Sequence, residues 1–263
     1  MALTEKQLDE LSQEVIKAEK TVTAITNFTD RFPEITVPEA YAIQLRSLQT
    51  KVKNGELVVG RKIGLCAKAN QQLYGVNEPI YGHLFDSMVV PEGEPISMSR
   101  LVGPVIEPEI CFVLRDVLKG PGVDVAKVLA VTAGVMPAFE IADSRFKERR
   151  KKAQDLISEN SGAAMVMLGG RLTPVDNIDL RLVGLVLEKN GEVIATGAGA
   201  AVLGNPAHSV ASLANKLAEY GMSLQAGEFI ISGSLTAAVP AEANSCFRAT
   251  FDRLGSVSVR FVS

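Results

Sequence analysis

Apolar side chains recur every third or fourth position over residues 4–20, where Leu8, Leu11, Val15 and Ala18 fall on one stripe, and this period predicts an amphipathic helix. Thr4 supplies a cap, with Gln7 at the spacing of a capping box. A second helix is predicted from Val37-Pro38-Glu39 through Tyr41, Ile43, Leu45 and Leu48 to a stop at Asn54-Gly55. From Leu57 the period shortens to two, predicting strands at 58–65, 87–90, 105–114 and 135–141, and later at 229–232, 247–251 and 256–261. Residues 125–131 are expected to start a helix, and 145–157 to form a charge-rich helix or an ordered loop. Leu185-Val186-Leu187 and Val193-Ile194 flank Asn190-Gly191, the strongest hairpin signal in the chain. A late helix is predicted over 206–220, with Asn205 as cap, Val210, Leu213 and Leu217 as its stripe and Gly221 as its stop. Strands outnumber helices and do not alternate regularly with them, so an α+β fold with a rolled mixed sheet is expected rather than a doubly wound one. The N-terminal helices read as a cap over residues 1–56, on a main domain at 57–263.

Composition narrows the picture. The chain has 263 residues, 47% of them hydrophobic and 22% charged, which is enough apolar material for a sizeable core. Lys and Arg number 27 against 30 Asp and Glu, a net charge of −3 that gives no general attraction to phosphate backbones, so no nucleic-acid partner is expected. No window approaches about 18 uninterrupted apolar residues and the first residues lack the order of a signal peptide. A cytoplasmic protein without membrane contact is therefore expected. Cys66, Cys111 and Cys246 are odd in number and far apart, which suits structural thiols.

The most informative stretch is Val105-Ile106-Glu107-Pro108-Glu109-Ile110-Cys111-Phe112-Val113-Leu114. Alternation places Glu107 and Glu109 on one face beside Val105, Cys111 and Val113, with Ile106, Ile110 and Phe112 on the other. Two carboxylates on an apolar wall need compensation, for which a hard divalent cation is the usual source. A solvated strand edge is the alternative, and Pro108 permits it because it lacks a ladder donor. Glu140 has a similar setting in Val135-Met136-Pro137-Ala138-Phe139-Glu140-Ile141, where it either completes one face of an octahedral site or pairs with Arg145 or Lys62. Lys62 is expected to point inward with Gly60 and Gly64, leaving space for a ligand, while Arg61 points out; a lysine that snorkels to the surface is the other reading. Other motifs fail. Gly197-Ala198-Gly199-Ala200-Ala201-Val202 carries Val202 where a dinucleotide fingerprint needs glycine, so a close-packed backbone loop is expected there. His83 and His208 have no partner at ligand spacing. The basic run 147–152 could bind an anion or form a solvated helix face, and no serine-hydrolase elbow is present.

Taken together, Arg61-Lys62-Ile63-Gly64-Leu65, Glu107-Pro108-Glu109-Ile110, Phe139-Glu140 with Asp143-Ser144-Arg145, Asn160-Ser161, the 197–204 segment and the closing Leu254-Gly255-Ser256-Val257-Ser258-Val259-Arg260-Phe261 resemble the 2-keto-4-pentenoate hydratase and 4-oxalocrotonate decarboxylase family, within the fumarylacetoacetate hydrolase-like superfamily. The resemblance covers nearly the whole chain. It implies a mixed β-roll, a Mg²⁺ or Mn²⁺ ion held by Glu107, Glu109 and Glu140, a catalytic Lys62, and substrate contacts from Leu65, Arg145, Asn160, Ser161 and Thr236. It further implies a place in meta-cleavage degradation of aromatic compounds, a small dicarboxylate substrate, a homo-oligomer and a complex with a paired hydratase. Pro79-Ile80-Tyr81-Gly82 is similar to the decarboxylase branch, because hydratases carry a carboxylate where Ile80 stands. Thr236-Ala237-Ala238-Val239-Pro240 and Phe32-Pro33-Glu34-Ile35-Thr36 lean the same way, whereas Arg61-Lys62-Ile63-Gly64 and Ser232-Gly233-Ser234-Leu235 lean to hydratases. One departure is Ser158-Glu159-Asn160-Ser161, where relatives usually show Ala-Asp-Asn-Ala-Ser. The expected reaction is metal-dependent decarboxylation of 2-oxohex-3-enedioate to 2-hydroxypenta-2,4-dienoate. The alternatives are hydration of 2-hydroxypenta-2,4-dienoate and a structural role beside the hydratase.

Overall fold

The computed structural model describes residues 2–148 and 152–263. Helix α1, Glu5–Thr21, starts at the predicted capping box: the Gln7 backbone N–H donates to Thr4 Oγ1 and the Gln7 side chain accepts from the Thr4 N–H. After a short turn of helix, α2, Phe28–Arg31, helix α3 runs Val37–Lys53 behind a second capping box of Thr36 and Glu39. Its buried side carries Tyr41 and Ile43 as expected, but Gln44 and Ser47 take the place expected of Leu45 and Leu48. The reason is polar: Gln44 Nε2 donates to Tyr81 O at 3.0 Å and to Ile157 O at 2.8 Å, so the helix is tied to the sheet by hydrogen bonds as well as by packing. Leu8, Leu11, Val15, Phe28, Ile35, Ile43 and Phe146 form a small apolar cluster of their own, while Tyr41 stacks on Tyr81 at 4.8 Å and joins the main core.

Strand β1, Val58–Gly64, leads through α4, Lys68–Tyr74, to β2, Ile80–Phe85. Strand β2 carries no alternation of apolar and polar positions, because all six of its residues are buried. The strand expected at 87–90 shrinks to β3, Val89–Val90, behind a 3-10 turn; β4, Ile96–Ser97, follows. Strand β5, Val105–Leu114, has the expected bounds, and α5, Val125–Val131, runs directly into β6, Thr132–Ala142. Of the 145–157 segment, residues up to Glu148 form an ordered loop and helix α6 occupies Ala153–Ser158. Arg149, Arg150 and Lys151 of the basic run lie outside the described residues. Strand β7, Ala163–Leu168, precedes the predicted hairpin of β8, Gly184–Lys189, and β9, Glu192–Ala198. Helix α7, Pro206–Glu219, and strands β10, Phe229–Ser234, β11, Val239–Pro240, β12, Cys246–Phe251, and β13, Gly255–Val262, complete the chain.

The strands form two mixed sheets, one ordered β2-β1-β10-β5-β6-β7-β3 with β11 beside β5, the other β4-β13-β12-β8-β9. Strand β1 runs parallel to β10 and antiparallel to β2, while β5 is antiparallel to β10 and β6. The larger sheet rolls, as expected of an α+β roll capped by N-terminal helices. Two expectations fail inside it. Strand β5 is central, not an edge, and Pro108 is accommodated because its carbonyl faces Leu235 N–H at 3.1 Å, so its missing donor falls on the side where β10 has just ended. Arg61 does not reach solvent; it is buried in an ion pair with Glu228 at 3.1 Å. The loop around Gly199 is close-packed as anticipated, since a Cβ there would lie 1.8 Å from Leu180 O. No helix among the described residues is long and apolar enough to cross a membrane.

Candidate active site

Strand alternation aims Lys62, Gly64, Ile80 and Gly82 at the same side of the larger sheet as Glu107, Glu109 and Glu140. Residues paired across strands share a face, and the registers are Lys62 with Gly82 and with Ile231, Ile231 with Cys111, and Glu107 with Glu140. The far end of this face is apolar, with Leu84, Cys111, Val166, Phe229 and Ile231 packed together. The near end holds the charges. One oxygen from each of Glu107, Glu109 and Glu140 lies within 4.8 Å of the others; Glu109 and Glu140 are buried and Glu107 is half-buried. Lys62 Nζ stands 2.9 Å from Glu140 Oε1 and donates to Ser161 O at 3.0 Å. Glu140 therefore pairs with Lys62, while Arg145 pairs with Asp143 at 2.6 Å.

Burial works against the Lys62 ammonium, but Glu140 and Glu107 outweigh it and hold its pKa above the ordinary lysine value. Burial, with repulsion from Glu140 and Glu107, lifts Glu109 well above the carboxylate range. Burial also raises Glu140 to about 7, against the opposing pull of Lys62. Burial and charge imbalance act together here: three carboxylates stand against one ammonium in an apolar setting. A divalent cation with oxygen ligands matches that deficit in charge and in ligand type, so the donor set fits Mg²⁺ or Mn²⁺, with Glu107, Glu109 and Glu140 as the residues to hold it.

Several neighbours of this cluster were not anticipated. Gly233 sits at a bulge in β10 with φ +112° and donates its N–H to Glu109 Oε2 at 2.6 Å. A Cβ there would come within 2.5 Å of Cys66 Sγ, whose thiol bonds to Ser232 O; Cys66 and Cys111 are otherwise buried and unpaired with sulfur, while Cys246 is exposed. Glu159 is buried, accepts from Ser144 Oγ and from Arg145 N–H, and is raised by burial to about 8. Gly82 gives room to Asn160, as described below. Glycines carry no signal in a hydrophobic pattern, and a carboxylate such as Glu159 reads as surface until its burial is known.

The residues expected to contact substrate lie on several segments of the chain. Leu65 follows the last residue of β1 in the left-handed region at φ 56°, with its carbonyl accepting from Gln71. Thr236 lies three residues beyond Gly233, half-buried, with its hydroxyl donating to Ala237 O. The Arg145 guanidinium is held by Asp143, with Nε buried and without an acceptor. Asn160 and Ser161 stand against β2, their side chains bonded to the backbone of His83 and Tyr81. His83 is fully buried with both ring nitrogens unpartnered, and His208 is exposed.

A rolled sheet that gathers two buried carboxylates, a third half-buried one and a buried lysine at one end defines a metal-binding enzyme fold. Residues 60–262 match the family described as fumarylacetoacetate (FAA) hydrolase C-terminal, and the chain belongs to that family. Within it, the chain is 42% identical over 260 residues to a 4-oxalocrotonate decarboxylase of Pseudomonas sp. (strain CF600), covering 99% of this chain and 98% of that one. It is 40% identical to a 2-oxo-hept-4-ene-1,7-dioate hydratase of Escherichia coli, covering 96% and 97%. Among solved structures it matches the 4-oxalocrotonate decarboxylase from Pseudomonas putida G7, complexed with magnesium and adipate, with a TM-score of 0.96, 41% identity and 99% of both chains covered.

Proposed function

We propose that this protein is a cytoplasmic, metal-dependent lyase that decarboxylates 2-oxohex-3-enedioate to 2-hydroxypenta-2,4-dienoate and CO₂ in meta-cleavage catabolism. The observation that carries the choice of reaction is the place of Ile80. A Cβ built on Gly64 would lie 3.4 Å from both Ile80 Cγ1 and Lys62 Nζ, so an apolar side chain adjoins the lysine. Hydration requires proton transfers that a carboxylate at this point would assist and an isoleucine cannot. Loss of C6 as CO₂ instead leaves an electron pair on C5 that moves through C4 and C3 to the C2 oxygen, which needs a stabilised negative charge rather than a base.

A divalent ion at Glu107, Glu109 and Glu140 supplies Lewis-acid polarisation of the 2-oxo acid group. The Lys62 ammonium, fixed in a buried position, holds the charge developing on the C2 oxygen or on the C1 carboxylate, and preorganised charge of this kind is usually the largest catalytic contribution. The unpartnered Arg145 Nε is the proposed donor to the distal carboxylate. Leu65 and Thr236, just beyond β1 and β10, flank the substrate, and the Asn160–Ser161 turn closes its other side. Self-association is proposed through the open edge of β9, where Val193 and Ile194 are exposed; sedimentation of the purified protein, alone and with a paired hydratase, checks both associations.

The test is product analysis after incubation with each substrate and Mg²⁺. CO₂ release from 2-oxohex-3-enedioate is expected; 4-hydroxy-2-oxopentanoate formed from 2-hydroxypenta-2,4-dienoate without decarboxylation would establish the hydratase reading that the Escherichia coli relative favours. No turnover of either would leave a structural partner.

A further inference from the structure

Asn160, Ser161 and Gly162 follow one another at positive φ, 62°, 56° and 72°. Left-handed backbone is unfavourable for residues with a Cβ, least so for Asn, and a run of it persists only where the surroundings over-determine it. Here they do. Asn160 Oδ1 accepts from His83 N–H at 2.7 Å while Asn160 Nδ2 donates to His83 O at 2.8 Å, and Ser161 Oγ donates to Tyr81 O at 2.6 Å. All these backbone groups belong to the outer edge of β2, the end strand of its sheet, so two side chains stand where a further strand would otherwise pair. Gly82 lies between the clasped residues. A Cβ there would be 2.3 Å from Asn160 O, so the approach requires glycine.

The other side of the turn faces the active site, where Ser161 O accepts from Lys62 Nζ. Lysine is a point charge on a flexible four-carbon stem, and its position here is set by two acceptors, Glu140 and this carbonyl. Capping a sheet edge needs no left-handed run; turning a carbonyl inward toward Lys62 from that edge gives the run a purpose. We propose that Asn160 is a positioning residue: by clasping both backbone groups of His83 it holds the left-handed turn that aims the Ser161 carbonyl at Lys62, and so fixes the ammonium in the active site. The inference rests on the reading that Lys62 acts in the reaction.

The experiment uses the full chain with Mg²⁺ and 2-oxohex-3-enedioate, comparing wild type, Asn160→Gly, Asn160→Asp, Lys62→Met and Asn160→Gly/Lys62→Met. Glycine relieves the left-handed strain while removing the clasp. Asp retains the acceptor for His83 N–H but sets a carboxylate oxygen against His83 O, so one variant serves if the other does not fold. The expected results are faster amide hydrogen exchange at His83, a Mg²⁺ dissociation constant within about threefold of wild type, and kcat lowered roughly 100-fold, the cost of misplacing a group by about 1 Å, with KM little changed. The double variant should be no slower than Lys62→Met alone, because two residues that act through one group are non-additive. Full kcat in Asn160→Gly with an inactive Lys62→Met would overturn the positioning role alone. A rise in KM at constant kcat would leave Asn160 as a substrate contact alone and reject the positioning role, and a double variant slowed by the product of both effects would also reject it. A fully active Lys62→Met would remove the reading beneath it.

Discussion

Lys62 Nζ lies 2.9 Å from Glu140 Oε1 although their strands are not neighbours: β10 and β5 stand between β1 and β6. Three strand spacings in a flat sheet amount to roughly 14 Å. The contact therefore depends on the roll of the sheet, which leans two long side chains toward each other across its concave face. Both groups are buried, so the pair contributes only while each partner is present.

Substitution of the ligand set tests the metal assignment directly. Glu107→Gln, Glu109→Gln and Glu140→Gln are each expected to weaken Mg²⁺ binding by at least the roughly 10–100-fold seen when only an outer partner of a ligand is lost, with turnover falling in parallel. Calorimetric titration measures the first and a CO₂ assay the second. Chelation and dialysis should abolish turnover and added Mg²⁺ restore it; activity that survives chelation removes the metal from the scheme.

Lys62→Met separates catalysis from metal binding. Turnover should drop about 10²–10³-fold, as for loss of a preorganised electrostatic group. Mg²⁺ binding should tighten, because a positive charge leaves the site. The ion should consequently raise the melting temperature more in the variant than in the wild type. An equal or smaller increment would show that Lys62 does not compensate Glu140 in the protein without metal.

Gly233→Ala tests the bulge that serves Glu109. The backbone there is at φ +112° and the new methyl would meet Cys66 Sγ, so a loss of about 1–3 kcal/mol in stability is expected, with weaker Mg²⁺ binding as the N–H to Glu109 is displaced. Adding Cys66→Ala removes the closest contact, with Sγ, but leaves the Cys66 Cβ position 3.0 Å away and the backbone strain in place, and should recover part of the loss. Denaturant unfolding of the single and double variants, with Cys66→Ala alone as the reference, checks this; a double variant no better than the single would place the cost in the backbone and the remaining Cβ contact.

The pH dependence of stability has a contribution from Glu159, which faces Ser144, Arg145 and Asp143 in the folded protein. Its carboxyl is raised by burial to about 8, against about 4.3 in an unfolded chain. Between these values the folded state binds more protons than the unfolded state, so the stabilisation is complete below about pH 4.3 and is lost as pH rises toward 8. Glu159→Gln, which stays neutral, should flatten the fall of melting temperature between pH 5 and pH 8 at saturating Mg²⁺. Parallel curves for the two proteins would dismiss the shift.

Which parts were legible in the sequence follows from what local pattern encodes. Helix α1 and its capping box, the Asn190-Gly191 hairpin, helix α7 and the bounds of β5 are set by residues within a few positions of one another, and periodicity reads such relations. The shared face of Glu107 and Glu109 is likewise a property of one extended strand. Strand β2 was hidden because a segment buried on both sides shows no alternation, and the solvent exposure expected for Arg61 was wrong because its partner, Glu228, lies 167 positions away. The pairing of Glu140 with Lys62 rather than Arg145, the N–H that Gly233 turns to Glu109, and the grip of Asn160 on His83 share that origin. By itself the sequence determined the helices, the strands with a clear alternation, the acidic face and the chemistry available to it. Only the rolled tertiary structure decided which charges meet and which backbone groups hold them, because contacts between distant segments depend on how the sheet curls, and that curl is fixed by the packing of the whole core rather than by any local run of residues.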